Sequence, residues 1–152
     1  DNFEAKIIYI PGHTLGHICF YFYNENNLFT GDTLFSLGCG RIFEGTYEQM
    51  LNSLNLLKTF PEHTKIYCGH EYTLKNSEFC LKNDEENLKL KEKIILIKEK
   101  LSNGTPTIPT TLKEELECNI FLRSDNKLIQ KNLNTLNELD TFSKLRDLKD
   151  IF

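Results

Sequence analysis

Three β-rich apolar runs in this chain each end in a glycine, and the residue after each glycine can bind a metal: IIYIPG precedes His13, LFTG precedes Asp32 and IYCG precedes His70. Runs of four to eight apolar residues closed by glycine read as buried strands, and α/β folds place their chemistry in the crevice beyond the strand ends. Glycine before each donor permits unusual backbone angles and close approach. The pattern predicts an α/β fold that delivers His13, Asp32 and His70 to one sheet edge as the donors of a shared metal site.

The order of the remaining signals divides the chain in two. Strand-like runs at 5–10, 18–23, 27–30 and 65–68 are interrupted by one helix, which Thr46 and Gln49 open as a capping box and which turns Met50, Leu54 and Leu57 to one face before Pro61. After Glu71 strand signals fade and charged segments with helical spacing take over. Leu90, Ile94, Ile97 and Leu101 form one apolar stripe, ended by Asn103-Gly104 and Pro106. Thr111 and Glu114 open a further helix, and Ile129, Leu133 and Leu136 mark another. The expected organisation is an α/β part over 1–72 and a helical part over 73–152.

Composition narrows the functional classes. A length of 152 residues suits one domain, or one with a small appendage. Eighteen Lys and Arg against 22 Asp and Glu provide no general basic field, so neither nucleic acid nor a membrane surface is an expected partner. The five cysteines are odd in number and contain no Cys-x-x-Cys pair, which points to a reducing compartment, the cytoplasm or an organelle. No apolar stretch is long enough to span a bilayer, and Asp1-Asn2-Phe3-Glu4 is neither basic nor followed by a hydrophobic core, so no signal peptide is expected. The chain opens without Met and almost directly on a strand, which leaves room for an upstream segment.

Residue by residue, the signals differ in strength. His13 and His17 are four apart, but Pro11-Gly12 and Gly16 make the segment a loop, so His17 reads as a hydrogen-bonded structural residue and His13 alone as a ligand. His63 lies in a polar turn and reads as surface. Arg41, behind Gly38-Cys39-Gly40, could meet an anion together with backbone amides. Arg146 and Lys149 share a helix face and could bind a carboxylate. With Asp147 and Asp150 beside them, an ordinary charged surface is the simpler reading of that pair.

Four segments together resemble glyoxalase II, the hydroxyacylglutathione hydrolases of the metallo-β-lactamase superfamily: Pro11-Gly12-His13-Thr14-Leu15-Gly16-His17, Phe29-Thr30-Gly31-Asp32-Thr33-Leu34-Phe35, Gly38-Cys39-Gly40-Arg41 and Tyr67-Cys68-Gly69-His70-Glu71-Tyr72. The resemblance continues through Pro106–Leu112 and Asn119–Arg123, which are similar to the family's helical domain, and through 146–150, similar to its terminal substrate-binding helix. It implies the second half of an αββα sandwich followed by an α-helical domain. It also implies a two-metal site of zinc, iron or manganese, in which His13 and His70 bind one metal each and Asp32 bridges both as the catalytic carboxylate. Arg41, Phe43, Tyr72, Arg146 and Lys149 would hold the glutathione part of an S-2-hydroxyacylglutathione such as S-D-lactoylglutathione. Two departures stand out. Phe43 occupies a position where the family has a tyrosine, and the Thr-His-x-His-x-Asp-His motif that supplies most metal ligands is absent. The chain accordingly reads as the C-terminal portion of a thioesterase, inactive alone, with a missing N-terminal half or another copy of itself as partner. A persulfide dioxygenase-like enzyme, or a non-catalytic structural fragment, is the alternative; the helical half and the Arg146/Lys149 pair argue against the dioxygenase.

Overall fold

Strand β1 (Lys6–Tyr9) pairs antiparallel with β2 (Ile18–Phe22), which pairs antiparallel with β3 (Asn27–Gly31). The computed structural model describes residues 3–152; Asp1 and Asn2, which open the segment read above for a signal peptide, lie outside the described residues. From β3 the chain makes a short hairpin, β4 (Leu34–Phe35) with β5 (Gly38–Cys39), and then helix α1 (Tyr47–Leu57). It returns as β6 (Lys65–Cys68), parallel to β3. A parallel return needs such a helical crossover. The two-residue strand β7 (Thr110–Thr111) closes the far edge, giving the order β1-β2-β3-β6-β7.

The capping box expected at Thr46 is present. Thr46 Oγ1 accepts from the Gln49 amide at 3.1 Å while Gln49 Oε1 accepts from the Thr46 amide at 3.0 Å. Met50, Leu51, Leu54 and Leu57 of α1 share the buried core with Cys19, Tyr21, Leu28 and Ile66 of the sheet's inner face. The outer face is different. Ile7, Phe20, Phe29 and Tyr67 follow one another across four strands in direct register, and directly paired residues share a face. Ile7 and Tyr9 are mostly exposed, Ile18, Phe20 and Phe29 about two-fifths so. The Phe29 and Tyr67 rings stack at 4.9 Å, and Phe22 meets Phe29 edge-on at 5.5 Å.

The second half holds five helices: α2 (Thr73–Asn83), α3 (Leu88–Ser102), α4 (Leu112–Cys118), α5 (Lys127–Leu133) and α6 (Glu138–Asp150). The second capping box also forms, with Thr111 and Glu114 opening α4. Two expectations need correction. Leu136 is not on a helix with Ile129 and Leu133, because Asn134 turns into the left-handed region (φ 52°) and ends α5, leaving Leu136 exposed. On α3, Leu90, Ile94 and Ile97 are buried as expected, but Leu101 is not, and Lys93 takes a buried place in the stripe. Helix α2 had no signal beyond general helical character, and no side chain caps its start.

Lys93 is buried because it answers Glu115, whose side chain has no exposed surface. Glu115 Oε1 accepts from Lys93 Nζ at 3.2 Å and from Thr110 Oγ1 at 2.8 Å. Its Oε2 accepts from the Leu37 amide at 2.7 Å and from Asn119 Nδ2 at 3.0 Å. Asn119 reaches on to the Gly38 carbonyl at 3.1 Å. The helical half thereby grips the β4–β5 hairpin from behind. All five cysteines are free, and among the described residues no helix is long and apolar enough to cross a membrane.

Candidate metal centre and substrate cleft

Asp32 follows β3 directly, His70 follows β6 by two residues, and His13 lies four residues beyond β1 in the loop before β2. The three meet at one end of the sheet. Gly31 makes this possible by turning at φ 52°, with His17 Nε2 so close that a Cβ there would stand 2.7 Å from it. Gly69 lets the Asp32 carboxylate lie against the backbone, where any side chain would strike Oδ1. His17 is the structural residue expected of it: its Nε2 accepts the Asp32 amide proton at 3.1 Å.

The protonation of His13 follows from its partner. Its Nδ1 lies 2.7 Å from the Arg41 carbonyl oxygen, which can only accept, so Nδ1 carries the proton and Nε2 presents a lone pair. That lone pair faces Asp32 Oδ2 at 3.5 Å, and His70 Nε2 faces Asp32 Oδ1 at 3.5 Å. An imidazole nitrogen opposite a carboxylate oxygen is an arrangement that a cation between them would satisfy. Bonds of about 2.0–2.1 Å at a tetrahedral angle place two ligands about 3.4 Å apart. The donor set therefore fits divalent cations in chemistry and spacing but is incomplete. Among the described residues no three His, Cys, Asp or Glu side chains form a group able to hold an ion by themselves.

A cleft of about 400 Å³ opens beside these donors and is also lined by Phe35, Gly40, Arg41, Phe43 and Tyr72. Tyr72 stacks on His70 with ring centroids 4.9 Å apart, Phe43 leans on His13 at 5.0 Å, and Phe35 meets Tyr72 edge-on at 5.5 Å. The walls are aromatic, and the one cationic side chain among them is Arg41. Burial raises the thiol pKa of both Cys39 and Cys68, so neither is a nucleophile poised for neutral pH.

Of the substrate residues expected from sequence, Arg41, Phe43 and Tyr72 line this cleft, whereas Arg146 and Lys149 do not. Arg146 is 5% exposed; its Nη1 donates to the Cys39 carbonyl at 2.8 Å and its Nη2 to Asp150 Oδ1 at 2.9 Å, leaving Nε unpartnered. Lys149 Nζ is buried without a hydrogen-bond partner, 5.1 Å from the Phe79 ring and 4.9 Å from that of Phe152. Burial pulls its pKa down to about 8. His63 is an exposed turn residue, as expected.

Sequence reasoning missed two contributors. Asp150 looked like ordinary surface charge, yet it joins two arginines, since Arg41 Nε donates to the same Oδ1 at 3.2 Å. Glu115 gave no pattern of its own, although Lys93 did, as a charge inside an apolar stripe.

Comparison with known proteins agrees with this architecture. Residues 2–70 match the family profile described as the metallo-beta-lactamase superfamily, and residues 71–152, more than half the chain, match hydroxyacylglutathione hydrolase C-terminus. The chain belongs to the hydroxyacylglutathione hydrolase family. It is 65% identical over all 152 residues to a hydroxyacylglutathione hydrolase of Pelagibacter ubique, covering 59% of that protein. It is 45% identical over 148 residues to one from Synechococcus, covering 97% of this chain and again 59% of the other. The chain thus spans about three-fifths of the length of these relatives. Among solved structures it is similar in fold to ETHE1 from Myxococcus xanthus, with a TM-score of 0.56 and 23% identity over 97% of this chain and 55% of that one.

Proposed function

We propose that the protein to which this chain belongs is a metal-dependent thioesterase that hydrolyses S-2-hydroxyacylglutathione, with S-D-lactoylglutathione as the expected substrate, to a 2-hydroxy acid and glutathione. The observation that carries this reading is the Asp32 carboxylate set between His13 Nε2 and His70 Nε2, beside a cleft that bears Arg41, Phe43 and Tyr72.

In this reading His13 and His70 would each hold one of two divalent cations (zinc, iron or manganese), and the Asp32 carboxylate would serve both. When bound, the cations supply an activated water at neutral pH and polarise the thioester carbonyl. The chain's own residues do the rest. The Arg41 carbonyl fixes the His13 tautomer, and His17 fixes the backbone of Asp32. Phe43 and Tyr72 pack their rings against His13 and His70. Arg41 meets the anionic glutathione part, and Arg146 and Lys149 have an unpartnered Nε and Nζ that a carboxylate would satisfy. Residues 1–72 carry the metal donors and 73–152 the terminal cations.

The remaining ligands, by resemblance, come from a segment N-terminal to residue 1. The aromatic outer face of the sheet would pack against that segment, or against another copy when the segment is absent. Free, mostly buried thiols suit a reducing compartment such as the cytoplasm.

The test is thiol release from S-D-lactoylglutathione by the full-length protein before and after chelation. Turnover that vanishes on chelation and returns with added zinc, iron or manganese is expected. Undiminished turnover in rigorously metal-free protein would overturn the proposal.

A further inference from the structure

We propose that Asp150 is a built-in counter-ion that competes with the substrate's carboxylate for Arg41, the arginine that lines the cleft, and thereby sets how tightly the enzyme holds its anionic ligand. The inference rests on the thioesterase reading above and adds a specificity-determining residue to it.

Asp150 ends helix α6, where the partial negative charge of the helix terminus opposes a carboxylate. What holds it there is cationic. Arg146 Nη2 donates to its Oδ1 at 2.9 Å, Arg41 Nε donates to the same oxygen at 3.2 Å, and Arg41 Nη2 donates to its backbone carbonyl at 3.2 Å. One carboxylate oxygen thus bridges a buried guanidinium and the guanidinium that lines the cleft. The Arg146 side chain is 6% exposed, that of Asp150 33% and that of Arg41 52%, so the bridge runs from the interior to the cleft mouth.

Arg41 thus commits Nε to the Asp150 carboxylate and Nη2 to the Asp150 backbone carbonyl. A ligand carboxylate seeking the same Nε and Nη2 must displace or share Asp150, because a guanidinium presents its paired donors along only a few edges. Arg146 stays put when that happens, since its Nη1 is anchored on the Cys39 carbonyl. Asp147, one turn away on the same helix, bonds to Tyr47 and touches neither arginine, which makes it a control of equal charge.

The experiment uses full-length protein and S-methylglutathione, a thioether that cannot be hydrolysed, with binding followed by calorimetry at two salt concentrations. Asp150→Asn keeps an oxygen acceptor for both arginines while removing the negative charge. The expected result is a dissociation constant about threefold to tenfold lower than wild type, the size of gain expected when a charged rival for a charge-assisted hydrogen bond becomes neutral. KM for the thioester should fall with it and kcat should change little. Asp147→Asn should bind as wild type does. The difference between the two variants should shrink at high salt. Unchanged or weaker binding in Asp150→Asn, with wild type binding normally and the variant's circular dichroism unaltered, overturns this inference alone. If Asp150→Asn unfolds, Asp150→Glu provides the second arm: the longer side chain keeps the charge and should not tighten binding, and tighter binding there would count against the proposal. Failure of wild type itself to bind S-methylglutathione overturns the thioesterase reading and this inference with it.

Discussion

The sheet half and the helical half solve burial in opposite ways. In the helical half even a carboxylate with no exposed surface is satisfied, as Glu115 is by Lys93, Thr110, Asn119 and the Leu37 amide. In the sheet half the inner face is equally well packed, but the outer face turns Ile7, Tyr9, Ile18, Phe20 and Phe29 to solvent. A contiguous apolar surface of this kind marks an interaction site on a soluble protein. The sheet half thus leaves one apolar face open, whereas the helical half encloses Phe79, Phe121 and Phe142. The candidate donors His13, Asp32 and His70 lie at the end of the sheet half.

The largest expected effect breaks this comparison directly. The 152-residue chain without any N-terminal companion should turn over S-D-lactoylglutathione at least about a thousandfold more slowly than the full-length protein, the scale of loss on removing essential catalytic groups. It should also self-associate in sedimentation, and a Phe20→Lys, Phe29→Lys pair should shift it toward monomer. A monodisperse wild-type monomer would mean that the outer face needs no cover.

A smaller effect sharpens the contrast. Glu115→Ala leaves Lys93 with only the partly exposed Glu114 carboxylate at 3.6 Å and strips the Leu37 amide of its acceptor, and should cost about 3 kcal/mol in urea unfolding of the full-length protein, the lower end for broken buried pairs. Phe29→Ser, tested in the isolated chain at a dilution where it is monomeric and this ring is two-fifths exposed, should stay within about 1 kcal/mol. Comparable losses at the two sites would erase the distinction between the halves.

Lys149 offers the smallest test and reports from the junction of α6 with α2. Its pKa is about 8 in the folded chain against an ordinary 10.5, so below pH 8 the folded state bears the full cost of a buried charge. Between about pH 8 and pH 10.5 the unfolded chain binds more protons, and this residue's contribution to stability rises with pH. Lys149→Met should therefore be more stable than wild type at pH 7, by on the order of 1 kcal/mol once screening of a half-buried group is allowed for. The advantage should diminish toward pH 10. Taking the difference between the two proteins removes the opposing trend from the buried thiols, whose raised pKa values lower stability at alkaline pH.

How much of this was legible in the sequence depended on the range of the interaction. The capping boxes at Thr46 and Thr111, the strand at Lys65–Cys68 and the convergence of His13, Asp32 and His70 followed from local rules of period, cap and glycine. Leu136 failed because the left-handed turn at Asn134 overrode an apolar spacing that continued past it. Asp150 and Glu115 were illegible for another reason. Each also bonds to a partner roughly 80 to 110 positions away, Leu37 for Glu115 and Arg41 for Asp150, and a carboxylate on a charged helix looks the same whether it faces water or an arginine.

The central proposal is that Asp32 would be shared between two cations, one on His13 and one on His70. Metal content of the full-length protein, measured by mass spectrometry for wild type and for single alanine variants, tests it directly. About two equivalents are expected in wild type, about one after His13→Ala or His70→Ala, and well under one after Asp32→Ala, because a bridging carboxylate serves both ions. An Asp32→Ala protein that is folded and still holds two equivalents would contradict the account.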